Sequence, residues 1–257
     1  MMRSGLIFFA LVCASEVAVA SDQLSLNVKS ENPLVLSVIK EGSEKSVIIP
    51  SDVVVDSGGI YSSVALDDID GNGVDEVIMT MPAEGGVNSC SKVLRYDSEK
   101  NTVVEVKFSG GGLCNYRKDG KYLVSSYRDA AVWVEDVYVF EGGSFDIVYK
   151  DECIGCGYIF RREFKSREVV VEYLVSDGEV LNKREPIVFS VLSGRAYIFS
   201  EPSIRGRSKK YLVRGDKVLA LGFSNNNGES WVKIRFSGKV VTEGWLLCAD
   251  IGQCAAL

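Results

Sequence analysis

Short apolar runs and short polar breaks alternate along almost the whole chain. Residues 34–39 (Leu-Val-Leu-Ser-Val-Ile) are followed by Glu41-Gly42 and a second run at 46–49, which predicts a hairpin. The runs at 92–96 and 102–106 flank a polar turn at 97–101 and predict another. A third is expected where 137–140 and 145–149, rich in aromatic and β-branched residues, enclose Glu141-Gly142-Gly143. Further strands are expected at 61–66, 76–79, 122–127, 131–135 and 169–173. Beyond residue 20, no stretch of ten or more residues reads as a helix. Strands at this spacing predict an all-β protein, built as a sandwich, barrel or propeller-like array.

Near Pro186 a second series of strands begins, so the expected division is a larger β domain over 21–182 and a small one over 186–257. In the second, 196–199 reads as a strand closed by Pro202. Leu212 to Val218 reads as strand, Gly215-Asp216 turn and strand, 225–230 as a polar loop, and 231–236 and 243–247 as further strands. The N-terminus differs from both parts. Arg3, the apolar run 6–12 and Ala18-Val19-Ala20 form the three regions of a secretory signal peptide over residues 1–20, cleaved after Ala20. The run is too short to span a membrane. Cys13 opens the alternative of a lipidated cysteine, although Val12 stands where a small residue should precede it. The expected location is the periplasm, with no membrane span.

With 257 residues and 46 % hydrophobic positions, the chain can bury real cores. The net charge of −6, without a block of like charge, argues against nucleic acid as a partner. There is no histidine. That removes Ser-His and Cys-His nucleophile pairs and histidine metal ligands, and no other catalytic constellation stands out, so no enzymatic activity is expected. A paired-carboxylate glycosidase is the enzymatic alternative, since any acidic β protein offers such pairs. Six cysteines follow the signal: Cys90, Cys114, Cys153, Cys156, Cys248 and Cys254. An even count in an oxidising compartment implies disulfides, in one of about fifteen connectivities. Locality favours Cys90–Cys114, Cys153–Cys156 and Cys248–Cys254. Cys153-Ile154-Gly155-Cys156 has the spacing of a redox motif, but strand-like runs stand on both sides where the redox motif needs a helix, which favours a loop staple.

Asp68-Ile69-Asp70-Gly71-Asn72-Gly73-Val74-Asp75-Glu76 carries the clearest chemistry. Asp68, Asp70 and Asn72 offer oxygens at alternate positions, Gly73 permits a sharp turn, the Val74 carbonyl is a further candidate ligand, and Glu76 adds a carboxylate. Oxygen ligands at this spacing suit a structural Ca²⁺; the other reading is a metal-free turn between strands. The twelfth position, where an EF-hand places a bidentate glutamate, is Met79, and a strand-like run follows the loop.

The loop resembles the calcium loop of an FG-GAP repeat. With the hairpins at 96–106 and 136–149, the first domain is similar to FG-GAP-like periplasmic proteins that include calcium-binding lysozyme inhibitors and immunity proteins against secreted cell-wall hydrolases. Ser57-Gly58-Gly59-Ile60-Tyr61 has the residue types of the loop by which such inhibitors enter the lysozyme cleft, one residue short. The second domain resembles a bacterial Src-homology-3-type (SH3-like) module through Leu212 to Val218, Trp231-Val232-Lys233-Ile234 and Gly244-Trp245-Leu246. That resemblance implies a small five-stranded barrel with an aromatic groove for peptides or wall material.

Together these resemblances imply a non-enzymatic inhibitor or immunity protein whose partner is a secreted hydrolase or toxin. The alternative is a module that binds peptidoglycan or peptide. Candidate recognition residues are Tyr61, Tyr116, Arg117 and Tyr127 in the first part, and Tyr197 and Trp231 in the second. Trp245 reads better as core. The basic segment 205–210 reads as a solvated loop or as a contact for an acidic partner.

Overall fold

The computed structural model describes residues 24–56, 61–81, 86–166, 168–252 and 254. The expected signal peptide, Cys13 and residues 57–60 of the Ser57–Tyr61 segment lie outside the described residues. Among the described residues the fold is all-β, in four antiparallel sheets. Among the described residues the longest helix is Ser51–Asp56.

The first sheet is the meander β1 (Ser25–Ser30), β2 (Val35–Lys40) and β3 (Ser43–Ser46). The partner of β2 begins three residues earlier than expected. Glu41 and Gly42 both take left-handed φ angles, 52° and 72°, so a two-residue turn closes the hairpin and Lys40 pairs with Ser43. Ile48 instead bridges Thr102 in parallel. The second sheet is β4 (Ser63–Asp67), β5 (Glu76–Thr80), β6 (Cys90–Asp97) and β7 (Thr102–Glu105), with β8 (Leu113–Cys114) also paired to β6. The third is the meander β9 (Arg117–Asp119), β10 (Tyr122–Asp129), β11 (Val132–Glu141), β12 (Ser144–Ile154), β13 (Tyr158–Phe164) and β14 (Val170–Ser176).

The second sheet is covered on both faces, which explains the unbroken apolar run of β5. Val77 and Met79 join Leu26, Leu36 and Val38 in one core, whereas Ile78 joins Leu123, Tyr138 and Phe145 in another. Successive side chains on a strand point to opposite faces, and here both faces are interior. The expected strands 131–135 and 137–140 are one strand, β11, with Glu135 and Asp136 buried at its centre. The acidic pair is tolerated inside because Arg117 and Arg184 meet Glu135 and tyrosine hydroxyls donate to Asp136.

The fourth sheet contains β15 (Val188–Ser190), β16 (Ala196–Phe199), β17 (Arg207–Leu212), β18 (Lys217–Asn226), β19 (Glu229–Ser237) and β20 (Val241–Leu247), in the order β15-β18-β19-β20-β16-β17. It has six strands rather than the five expected. Among the described residues no pairing closes β17 onto β15, so the sheet is open and is not a closed barrel.

The boundary expected at 182–186 is stitched into both neighbouring sheets. Leu174 of β14 belongs to the core of the fourth sheet with Val191, Val218 and Val232. Ile187 N–H donates to the Leu174 carbonyl at 2.9 Å, and Ala220 N–H donates to the Ile187 carbonyl at 2.9 Å. Arg184 then pins the connection to the third sheet. Its guanidinium meets Asp151 at 2.6 Å and Glu135 at 2.8 Å, and its Nε donates to the Gly178 carbonyl at 2.7 Å. Arg161 holds Asp151 in a two-point contact of 2.7 and 2.6 Å, and Arg117 does the same for Glu135 at 2.6 and 3.1 Å. Burial pushes the Glu135 carboxyl up, but Arg117 and Arg184 outweigh it and hold the group below its ordinary range.

All three local disulfides form. Cys90 and Cys114 are directly opposed on β6 and β8. Cys153 and Cys156 close the turn between β12 and β13 with no helix following, a strand-turn-strand setting. Cys248 and Cys254 are buried in the core of the fourth sheet. The disulfides fit an exported protein. Among the described residues no helix is long and apolar enough to cross a membrane.

Removing Arg184 leaves two buried carboxylates each short of one counter-charge. Arg184→Ala is expected to destabilise the protein by about 3 kcal/mol, read as a lower urea midpoint at unchanged slope. A change within about 0.5 kcal/mol would mean that Arg184 is dispensable to the connection.

Candidate functional site

The Asp68 loop joins β4 to β5, whose pairing ends at Asp67↔Glu76. The chain must reverse between two paired strands, and Gly71 and Gly73 do so with φ of 77° and 84°, where a Cβ would be strained. Asp68 organises the turn. Its Oδ1 accepts from the N–H of Gly71 at 2.9 Å and of Asn72 at 3.0 Å, and its Oδ2 accepts from Gly73 N–H at 3.0 Å. Asp70 accepts from the Asn72 backbone at 3.0 Å and from its side-chain amide at 2.9 Å.

Asp68, Asp70 and Glu76 each present a carboxylate oxygen within 4.8 Å of the others. Glu76 is 1 % exposed. Its Oε2 accepts from Ile69 N–H at 3.0 Å, whereas its Oε1 is buried without a partner. Burial, then the Asp70 charge, raise the Glu76 carboxyl to about 7. Burial also raises Asp70, with the Asp68 charge adding to it. An orphaned oxygen among three converging carboxylates is a donor set that fits a hard cation. Of the other expected ligands, Asn72 uses its Oδ1 to accept from Val74 N–H at 2.7 Å. Val74 shares the turn, but the converging set consists of the three carboxylates.

The residues expected to face a partner in the first part are occupied within the chain. Tyr116 OH donates to Asp67 Oδ2 at 3.0 Å, and its phenol is pushed up to about 12 by burial and by that contact. Lys118 Nζ also binds Asp67 at 2.5 Å and the Asp68 carbonyl at 2.9 Å. Tyr116 and Lys118 therefore brace the N-terminal side of the loop. Tyr61 OH donates to the Glu31 carbonyl. Arg117 is held by Glu135, and Tyr127 donates to Asp136 at 3.2 Å. Each of these four side chains is partly buried and has a partner within the chain. Polar tips on aromatic and long side chains find partners when the body of the side chain packs.

Sequence reasoning missed Asp136. It is 2 % exposed, and its Oδ2 takes bonds from Tyr127 and from Tyr138, while its Oδ1 has no partner. Burial raises its carboxyl above the ordinary range. Lys150 reaches Tyr127 OH at 3.1 Å and completes a part-buried polar cluster around Asp136. Tyr127, Tyr138 and Lys150 come from adjacent strands, a juxtaposition that no local spacing announces.

In the second part, Trp231 is 1 % exposed and packs edge-on against Phe199 at 4.9 Å, which corrects its assignment to an open groove. Trp245 is partly buried. Tyr197 does reach the surface, where the Arg207 guanidinium lies 3.6 Å from its ring centre.

No model of a known protein family matches the sequence. No curated protein matches it. A solved structure described as that of a Xanthomonas Type IV Secretion System related protein is similar at a TM-score of 0.33 and 15 % identity, covering 65 % of this chain and 82 % of that one. A likeness at that level carries no argument about this chain.

Folding favours the protonated form of Glu76, so without a cation its contribution is fully present below about pH 4.5 and is lost as pH rises through about 7. Between pH 5 and 8, the metal-free protein is expected to lose on the order of 2 kcal/mol relative to Glu76→Gln, which mimics the protonated form. Parallel pH profiles for the two proteins in chelator would contradict this.

Proposed function

We propose that this chain is an exported, non-enzymatic binding protein that blocks a secreted cell-wall hydrolase or toxin, as an inhibitor or immunity protein. In this reading the first three sheets are an FG-GAP-like, propeller-like body stapled by Ca²⁺, and the fourth sheet is an SH3-like unit. The observation that carries the reading is the buried, half-unpartnered Glu76 carboxylate near Asp68 and Asp70, in a loop that resembles the FG-GAP calcium loop. Asp68, Asp70 and Glu76 would hold the ion, with Asn72 and the Val74 carbonyl on the same turn. The ion supplies charge compensation and order in the loop. Tyr116 and Lys118 brace that loop against the third sheet. The lack of histidine and the three disulfides suit a binding protein that works outside the reducing cytoplasm.

Two outcomes are expected of the protein spanning residues 21–257. Calcium at a hundredfold excess over its dissociation constant should stabilise it by about 2.7 kcal/mol, a shift of several degrees in the unfolding temperature that Glu76→Gln abolishes. Affinity capture from a periplasmic extract in millimolar Ca²⁺, with bound proteins identified, should recover a wall-degrading enzyme and lose it on chelation. Recovery that survives chelation would reduce the loop to a local turn. Recovery of no such enzyme would contradict the inhibitor reading.

A further inference from the structure

The charge of the chain is unevenly distributed. From residue 186 onward there are ten Lys and Arg against five Asp and Glu, a net +5, whereas the preceding residues carry 19 against 30, a net −11. Much of the positive charge lies at one border of the fourth sheet. β17 is the free edge there, and it presents Arg207, Lys209 and Lys210. Lysines on an edge strand ordinarily prevent edge-to-edge pairing. The arginines are arranged differently.

Tyr197 of β16 and Tyr211 of β17 are directly opposed, with ring centres 6.1 Å apart. Arg207 stacks on Tyr197 at 3.6 Å, and Arg195 lies over Tyr211 at 5.0 Å. A surface ladder Arg207–Tyr197–Tyr211–Arg195 results. Stacking fixes the plane of a guanidinium while leaving its N–H edge available. Neither arginine has a carboxylate partner among the described residues, unlike Arg117, Arg161 and Arg184. The Tyr197 phenol is drawn below its ordinary range, first by Arg207 and then by Arg195, as expected where two cations converge on an oxygen.

Arg195, Tyr197 and Arg207 line a cleft of about 330 Å³. Phe199, Ile204 and Leu247 supply apolar surface, and Ile204 is 71 % exposed. Asp250 also lines the cleft, and Ser193 Oγ donates to one of its carboxylate oxygens at 2.5 Å, with the other free among the described residues. Two oriented guanidiniums, an apolar floor and one acceptor form the complement of a short peptide segment. Such a segment offers a carboxylate, a neighbouring aliphatic side chain and a backbone N–H.

We infer that the Arg195–Arg207 cleft is a binding site for an acidic peptide segment of a partner protein, with a carboxylate on the two arginines and an adjacent apolar side chain on Ile204, Phe199 and Leu247. This inference stands apart from the inhibitor reading, because it uses none of the loop residues. A long polyanion suits the site less well. The net −11 of the rest of the chain repels a long polyanion more than a short segment.

The test is an NMR titration of the protein spanning residues 21–257 with N-acetyl-leucyl-glutamate. The same titration is run with the fully amidated compound that lacks carboxylates, and with inorganic phosphate. The expected result is saturable shifts confined to amides around Tyr197, Ile204 and Arg207, with a dissociation constant of about 1 mM or tighter for the dicarboxylate and at least tenfold weaker binding of the amidated compound and of phosphate. Arg195→Gln with Arg207→Gln should weaken binding tenfold or more. Ile204→Ser should weaken it severalfold without changing the charge. Lys233→Gln, which removes an exposed cation elsewhere on the same sheet, should leave it unchanged. All three variant proteins change exposed side chains, and their unfolding temperatures serve as the check on folding. Absence of saturable shifts would overturn the inference, as would equal binding of the amidated compound. Phosphate binding as tight as the dicarboxylate would mean a general anion site. An equal loss in Lys233→Gln would mean unspecific attraction to the basic unit.

Discussion

A charge removed from water must be compensated, and that requirement organises this protein. Asp151 and Glu135 sit inside the third sheet because Arg161, Arg117 and Arg184 meet them with near-ideal contacts. Arg184 belongs to the connection between the third and fourth sheets, so neutralising the carboxylates also fixes where that connection lies. Asp136 is handled by a different route, with tyrosine hydroxyls, a nearby lysine and a raised carboxyl. Glu76 is equally buried, yet its nearest charged neighbours are two further carboxylates and one of its oxygens has no partner. Among the described residues, Asp151 and Glu135 are met by arginines and Asp136 by tyrosine hydroxyls and a nearby lysine, whereas Glu76 faces only further carboxylates.

That contrast distinguishes the Asp68 loop from an ordinary acidic turn. Backbone N–H groups already use several oxygens of Asp68 and Asp70, which pre-forms the loop and holds the carboxylates close together. Holding like charges close costs free energy in the metal-free protein. In the proposed reading a divalent cation would offset that cost, and metal binding would then be coupled to the pairing of β4 with β5.

What was legible in the sequence was local. The oxygen-bearing residues of the loop lie within nine positions, and the hairpins are set by turn glycines. The disulfides join cysteines that are close in sequence or opposed across neighbouring strands. The burial of Glu135 and Asp136 in the centre of β11 was not legible, because their partners lie on other strands or, for Arg184, about 50 positions away. The partners of the expected recognition residues were not legible for the same reason. Tyr61, Tyr116, Arg117 and Tyr127 look like surface aromatics and a free cation in one dimension, and each finds an intramolecular partner across the sheets. Trp231 was misplaced because its size serves the core. The Arg195–Arg207 ladder depends on the register of β16 with β17, which pattern alone does not give.

The most direct measurement is a calorimetric titration of the metal-free protein with CaCl₂ near pH 7, in two buffers of different ionisation enthalpy. The account predicts one Ca²⁺ per chain, with protons released as Glu76 gives up its own, and no proton release from Glu76→Gln. Absence of calcium binding at millimolar concentration would contradict it, and would leave the buried Glu76 carboxyl simply protonated in a metal-free turn.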